Sequence, residues 1–396
     1  MARKPKRDLT VEEQLARGPL DLPFLMLTML LLGVGLIMMF SASFATAYYN
    51  DGDPLVYIKN QAVYAAAGVV VMFLVSKINY QTFRLLSVPG IVAAILLLVL
   101  ALSPLGVELN EVKRWVRIGP IQFQPSEVAK VAVILFFATR LSKRDTEKKK
   151  KWSRRTLTGR TLERLDRIGF LELVPYGAIL MVIALLMLME PHMSGTILIM
   201  VGAASVLFVS GINLGWFIGL GSVAVLGLAV IIRFTDYMTR KMNLWLNPWD
   251  YPQEGGYQII QSLLSIASGG LLGNGLGNSI QKFNYLPEPE NDMIFSIVVE
   301  ELGLLGGGLV LLLFALLILR GYWLARDKFG TLTAVGITTL LAAQVFLNIG
   351  VVTNLIPNTG ISLPFFSYGG TALMIQLAQM GIILSISRQI PAPKKD

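Results

Sequence analysis

The sequence predicts an all-α polytopic membrane protein of about ten transmembrane helices. Both termini are placed in the cytoplasm, with a large extracytoplasmic loop between helices 7 and 8. Three observations carry this. The chain is 54% hydrophobic and only 15% charged, less charge than a soluble chain carries. Several of its apolar runs exceed 18 residues, enough to cross a hydrocarbon core about 30 Å thick. Its Lys and Arg residues fall unevenly on alternate loops.

The spans are expected at 21–45, 61–76, 85–103, 125–142, 170–190, 196–211, 214–233, 293–320, 331–354 and 364–387. The first is free of charge from Leu22 to Phe40. It begins too far in, with too many apolar runs after it, to read as a cleaved signal peptide. The second is diluted by Tyr64 and a run of alanines, and the fourth carries Glu127 and Lys130. Ten crossings put 25 Lys and Arg on the side of the termini and 8 on the other, with Lys130 inside a span. The positive-inside rule assigns the richer side to the cytoplasm. Residues 1–20 are then a cytoplasmic tail, 21–388 the membrane domain and 389–396 a second cytoplasmic tail. The basic stretch 143–168 is a cytoplasmic loop with affinity for anionic lipid. It lacks the recognition fold and aromatic interleaving of a nucleic-acid site.

The absence of Cys excludes disulfides and thiolate chemistry, and a single His192 excludes a histidine metal cage. Two segments on the outer side are substantial: 103–124 and 234–292. The second is the longer. Within it Tyr257 to Leu272 reads as an amphipathic or re-entrant helix, followed by the glycine-rich stretch Gly269 to Gly277. Irregular backbone at membrane depth is tolerated where protein buries it or where it lines a cavity.

Ionisable groups inside spans are costly and mark sites by default. Lys130 lies about 8 Å below the outer surface, and Glu300 about 12 Å, at 1.5 Å per residue. With Glu127, Glu190 and Glu301 they gather in the outer half of the membrane, as a cavity open to the outside would allow. Bland readings stand beside this one. Glu127 and Lys130 share a helix face and could neutralise each other. Asp292 could be only an N-cap. Glu300 and Glu301 could join helices through hydrogen bonds.

Three strings go further. One runs from Tyr257-Gln258 through Ser268-Gly269-Gly270, Gly275 to Lys282, Tyr285-Leu286-Pro287-Glu288 and Asp292 to Phe295, ending at Glu300-Glu301-Leu302-Gly303. A second joins Arg114-Trp115, Gly119, Gln124 to Glu127, and Lys130. The third is Pro357 to Gly360 with Leu363 to Gly370. In order and placement they resemble the SEDS family (shape, elongation, division and sporulation) from about Asp21 to Arg388. The Gly275 to Lys282 string is closer to the division (FtsW) and sporulation (SpoVE) types than to the elongation type (RodA). There is one departure. Where the family usually has Pro-Asp-x-Gly-Thr, the chain reads Pro191-His192-Met193-Ser194-Gly195-Thr196, so no acidic role is carried over there.

The resemblance implies a peptidoglycan glycosyltransferase acting on lipid II at the outer face of the cytoplasmic membrane, in division or sporulation. Deprotonating a sugar hydroxyl needs a positioned base, and Asp292 matches the family's acid at the end of the large loop. A helix N-terminus there would favour its ionised form. Developing charge on the pyrophosphate needs cations. Arg114 and Lys130 match family positions, with Lys282 and Arg117 as weaker candidates. Pro287 and Glu288 would shape the loop presenting Asp292. Trp115, Glu127, Glu300 and Ser367 complete the substrate-binding set.

A divalent cation, Mg or Mn, could bridge carboxylates and pyrophosphate, though no carboxylate spacing is diagnostic. The implied partners are a single-span class B penicillin-binding protein and other divisome proteins. Two other readings stay open: a lipid II flippase, which should show broken helices and repeats along a polar path, and a scaffold indifferent to loss of Asp292.

Overall fold

The structure is a computed structural model. It describes residues 18–109, 112–119, 121–144, 169–213, 236–253, 255–324 and 327–388, with a few isolated positions between 214 and 222. Its helices are α1 (Leu22–Asp51), α2 (Val56–Lys77), α3 (Ser87–Leu102), α4 (Pro125–Ser142), α5 (Phe170–Met189) and α6 (Met193–Val209), then α7 (Asp236–Leu246), α8 (Gly256–Gly269), α9 (Ile294–Trp323), α10 (Lys328–Val352) and α11 (Gly370–Arg388). Six of them, α1, α2, α5, α9, α10 and α11, are long and apolar enough to cross a membrane, and α3 and α6 are shorter apolar helices. Helix α4 has the length but carries Glu127, Lys130 and Arg140. The expected span 214–233, most of the basic loop 143–168 and nearly all of both tails lie outside the described residues.

Local chemistry sets the helix ends. Asp21 caps α1 by accepting from the Phe24 N–H at 3.0 Å, and Pro23 suits the first turn, where its missing N–H costs nothing. Asp21 also takes a two-point ion pair from Arg320 of α9, with contacts of 3.0 and 2.5 Å. At the same end the Gly18 N–H meets the Arg388 carbonyl at 2.6 Å. The two ends of the described chain therefore lie together. Helices α2 and α11 run against each other closely: a Cβ on Gly381 would stand 2.6 Å from the Met72 carbonyl oxygen. Without a hydrophobic drive between helices in lipid, such close backbone approach supplies the packing.

The opposite end carries a feature the helical reading omitted. Segment 103–124 is an antiparallel sheet of β1 (Gly106–Leu109), β2 (Val112–Ile118) and β3 (Ile121–Phe123), in the order β1-β2-β3. Leu109 pairs with Val112, and Ile118 with Ile121, at the strand ends. Gly119 takes the positive φ of +61° that a tight hairpin turn asks for. The Thr371 hydroxyl donates to the Gln122 carbonyl at 3.1 Å, seating the sheet on the start of α11.

The expected amphipathic or re-entrant helix is the site of α8, and the glycine-rich stretch after it is threaded into a break in α9. Gly303 has φ +73° and ψ −179° inside that helix, a conformation essentially reserved for glycine. The break frees backbone groups on both sides, and the loop satisfies them. Asn274 and Gly275 N–H groups donate to the Glu300 and Glu301 carbonyls, each at 3.0 Å. Leu304 and Leu305 N–H groups donate to the Gly270 and Leu271 carbonyls at 2.9 and 3.2 Å. Buried backbone needs such partners.

Candidate active site

A cavity of about 370 Å³ opens at the sheet end of the bundle. Its wall comes from β2, the start of α4, the α5–α6 turn, residues 288–292, α10, segment 360–369 and α11. Gln344 lies eight residues from the end of α10 and Gln379 nine residues into α11, both on the wall. At 1.5 Å per residue those positions are about 12–14 Å down. The cavity is polar well below its mouth.

Asp292 stands on the wall just before α9. It is not that helix's cap: Met293 occupies the cap position and no side-chain cap bond is made. Any stabilisation of the ionised form by the helix N-terminus is outweighed here. Burial, followed by the nearby Glu288 and Glu290 carboxylates, pushes the Asp292 carboxyl up to about 7. One oxygen accepts from Gln258 Nε2 at 3.4 Å. The backbone carbonyl accepts from Asn348 Nδ2 at 2.7 Å.

The first two proposed cations reach the same cavity, each held by a partner. Lys130 pairs with Glu127 at 2.7 Å and is almost wholly buried, so the i,i+3 pair exists and also lines the cavity. Arg114 projects from β2, and its Nε donates to the Glu190 carbonyl at 2.9 Å. A terminal nitrogen donates to the Pro191 carbonyl. Trp115 follows it on the wall. Arg114 thus fastens the sheet to the α5–α6 turn, where His192 replaces the acid seen in the family pattern. Burial, then Arg114 and Lys130, hold the His192 ring down at about 3, so it is a neutral imidazole beside Gln124 at 3.4 Å.

Glu288 and Ser367 also face the cavity. Glu288 has φ +49°, a strained value for a side chain with Cβ, and accepts from Asn291 Nδ2 at 3.2 Å. The Ser367 hydroxyl accepts from the Leu363 N–H at 2.7 Å and donates to the Asn291 carbonyl at 2.5 Å. It ties segment 360–369 to the residue beside Asp292. Pro287 is exposed and off the cavity wall.

Lys282 and Glu300 are elsewhere. With Glu301 they form a buried node between α1, α9 and the glycine-rich loop. Glu300 accepts from the Ser265 and Ser279 hydroxyls at 2.8 and 2.7 Å and from the Ile280 N–H at 2.8 Å. Glu301 accepts from Ser41 of α1 at 2.7 Å and from Lys282 Nζ at 3.1 Å. Lys282 also donates to the Gly277 carbonyl at 2.6 Å. Neither Lys282 nor Glu300 lines the cavity. A buried charge is tolerable only when paired and hydrogen-bonded, and these groups are occupied in that way. In this arrangement both side chains are engaged within the node.

The cavity adds residues given no site role from the sequence: Gln124, Ser194, Gln344, Gln376 and Gln379. Uncharged amides inside apolar helices carry little signal in a sequence. No group of three His, Asp or Glu side chains able to hold a metal occurs among the described residues.

The family model FTSW_RODA_SPOVE, described as cell cycle protein, matches residues 22–391. Stage V sporulation protein E of Bacillus subtilis (strain 168) is 42% identical over 373 residues, covering 93% of this chain and 97% of that protein. A Geobacter sulfurreducens protein described as a probable peptidoglycan glycosyltransferase FtsW is 37% identical, covering 93% of this chain and 95% of its own. Among solved structures, one chain of a peptidoglycan synthase complex, studied for how polymerization and crosslinking are coordinated, superposes with a TM-score of 0.74. It is 26% identical, with 94% of this chain and 99% of that chain covered.

Proposed function

Because the chain belongs to the FtsW, RodA and SpoVE family of membrane proteins, we propose that it is a peptidoglycan glycosyltransferase that polymerises lipid II, in division or sporulation. The cavity faces the outside of the cytoplasmic membrane, and Asp292 is the general base. The observation that carries this reading is the position of Asp292. Its carboxylate stands on the wall of a polar cavity that also holds Arg114 and Lys130.

The reaction joins the 4-hydroxyl of one GlcNAc to the anomeric carbon of a MurNAc. As the O–C bond forms, the bond from that carbon to the diphosphate breaks and undecaprenyl diphosphate leaves. The hydroxyl proton passes to Asp292. A base with a pKa near the working pH balances availability against strength, and a carboxyl raised to about 7 has that balance. Arg114 and Lys130 face the diphosphate. Each would exchange part of its present bonding for phosphate oxygens. Glu288 keeps negative charge beside Asp292, and Trp115 offers a flat face to a sugar.

Strand formation from purified lipid II tests this, with a class B penicillin-binding protein as partner and its transpeptidase blocked. Wild type should form strands, and Asp292→Ala and Asp292→Asn should lose activity by at least about 100-fold, the lower range for a lost acid–base group. Wild-type rates in either folded variant would remove Asp292 from the chemistry.

One observation speaks for lipid transport: α9 is broken at Gly303, as transporter helices often are. The freed carbonyls, however, are taken by the glycine-rich loop. They lie in the Glu300–Glu301 node rather than on the cavity wall. The break therefore serves packing, and polymerisation remains the better reading.

A further inference from the structure

Two strings that the sequence singled out have no part in the chemistry above: Tyr257-Gln258 and Asn358-Thr359-Gly360. The fold brings them together at Asp292. Gln258 of α8 places Nε2 3.4 Å from Asp292 Oδ1. Asn358 places Nδ2 2.8 Å from Gln258 Oε1. The Gly360 N–H reaches Asn358 Oδ1 at 3.0 Å. Gly360 also sits beside the other carboxylate oxygen, where an added Cβ would stand 3.8 Å from Asp292 Oδ2.

The direction of this chain is fixed at one end. A backbone N–H only donates, so the Asn358 atom facing Gly360 must be its oxygen. Its amide nitrogen then faces Gln258 and must meet an oxygen. That leaves Gln258 presenting N–H to Asp292. The sense of both amides follows from a single main-chain donor, with no further choice.

From this polarity we infer that Gln258 is a positioning residue for Asp292, aimed by Asn358 and Gly360. The relay holds Oδ1 and leaves Oδ2 to receive the sugar proton. A donor to the charged form favours ionisation, so the relay opposes burial and the Glu288 and Glu290 charges, the carboxylates that face Asp292. Asn348 of α10 fixes the backbone beneath, bonding both the Asp292 and Ile361 carbonyls at 2.7 Å. This inference rests on Asp292 being the base.

The test is the pH profile of strand formation by the full-length chain with its transpeptidase partner. Wild type, Gln258→Leu, Asn358→Ala and Asp292→Ala are compared, and thermal midpoints in detergent establish that each is folded. Loss of one hydrogen bond to a charged group should move the acid limb of Gln258→Leu up by about 1–2 pH units. The rate of this variant should recover at alkaline pH. Asn358→Ala, which frees Gln258 to rotate, should move the limb in the same direction by less.

A uniform fall in rate at every pH, with the limb unmoved, would overturn the relay and leave Gln258 a packing residue. Wild-type activity in Asp292→Ala would instead overturn the base assignment itself. The two failures are therefore distinct.

Discussion

Asp292 is held in a form that costs the fold something. Its folded pKa of about 7 lies above the ordinary value of 3.8. The protonated carboxyl is the form the native state prefers, so its contribution to stability is complete below pH 3.8 and falls away as pH rises toward 7. Asp292→Asn should therefore unfold at a higher temperature than wild type at pH 8, by about 1–3 °C, while making no strands. Equal midpoints would show that the carboxyl is solvated in the folded protein. Activity has the opposite sign. A base must be ionised, so the wild-type rate should fall tenfold per unit below about pH 7 and level above it.

His192 gives a second titration. Its folded pKa, near 3, is below the free value of 6.5. The stability it contributes is present above pH 6.5 and lost as pH falls through 6.5 toward 3, at up to about 1.4 kcal/mol per unit. The thermal midpoint should drop over that range, and His192→Asn should flatten the drop. At this scale the sequence was partly legible. Costly charges such as Lys130 and Glu127 announce themselves, whereas the strings holding Gln258 and Asn358 give no hint of a role, because a neutral amide gains its role only from what it faces.

Among the elements, the break in α9 and the loop threaded into it form one unit. Gly303→Ala would force a Cβ into a backbone region reserved for glycine and against the Leu271 carbonyl. The backbone term alone is about 1–3 kcal/mol. Ser41→Ala should cost less than Glu301→Gln, because the latter leaves Lys282 as a buried cation without its carboxylate. Breaking such a pair costs about 3–5 kcal/mol. Thermal unfolding in detergent should rank them in that order. If Glu301→Gln kept full stability but lost polymerisation, the node would belong to the active site after all.

The α8 segment and the loop after it were visible as an amphipathic stretch beside glycines. Their partner was not visible, because Gly303 reads as one more glycine in an apolar helix. The sheet in 103–124 was read only as an outer loop, because strands of 4, 7 and 3 residues are too short to show a clear alternation.

For the whole molecule, sidedness is the open physical quantity. The chain has no cysteine, so a single introduced thiol reports its own location. Leu105, at the sheet end, and Leu85, at the other, are 70% and 77% exposed. With an impermeant maleimide on intact spheroplasts, Leu105→Cys should label and Leu85→Cys should label only after permeabilisation. The reverse pattern would place the cavity in the cytoplasm and end the polymerase proposal.

By itself the sequence determined the membrane class and the apolar helices long enough to span, and the order of its motifs carried the family resemblance that points to Asp292. These follow from local quantities: run length, charge per loop and motif order. Tertiary structure alone decided which charges meet. Lys282 and Glu300 belong to a structural node, and Arg114 and Lys130 reach the cavity. Two amides from distant strings converge on Asp292. Desolvation and hydrogen-bond direction depend on neighbours far apart in the chain, and no local pattern encodes them.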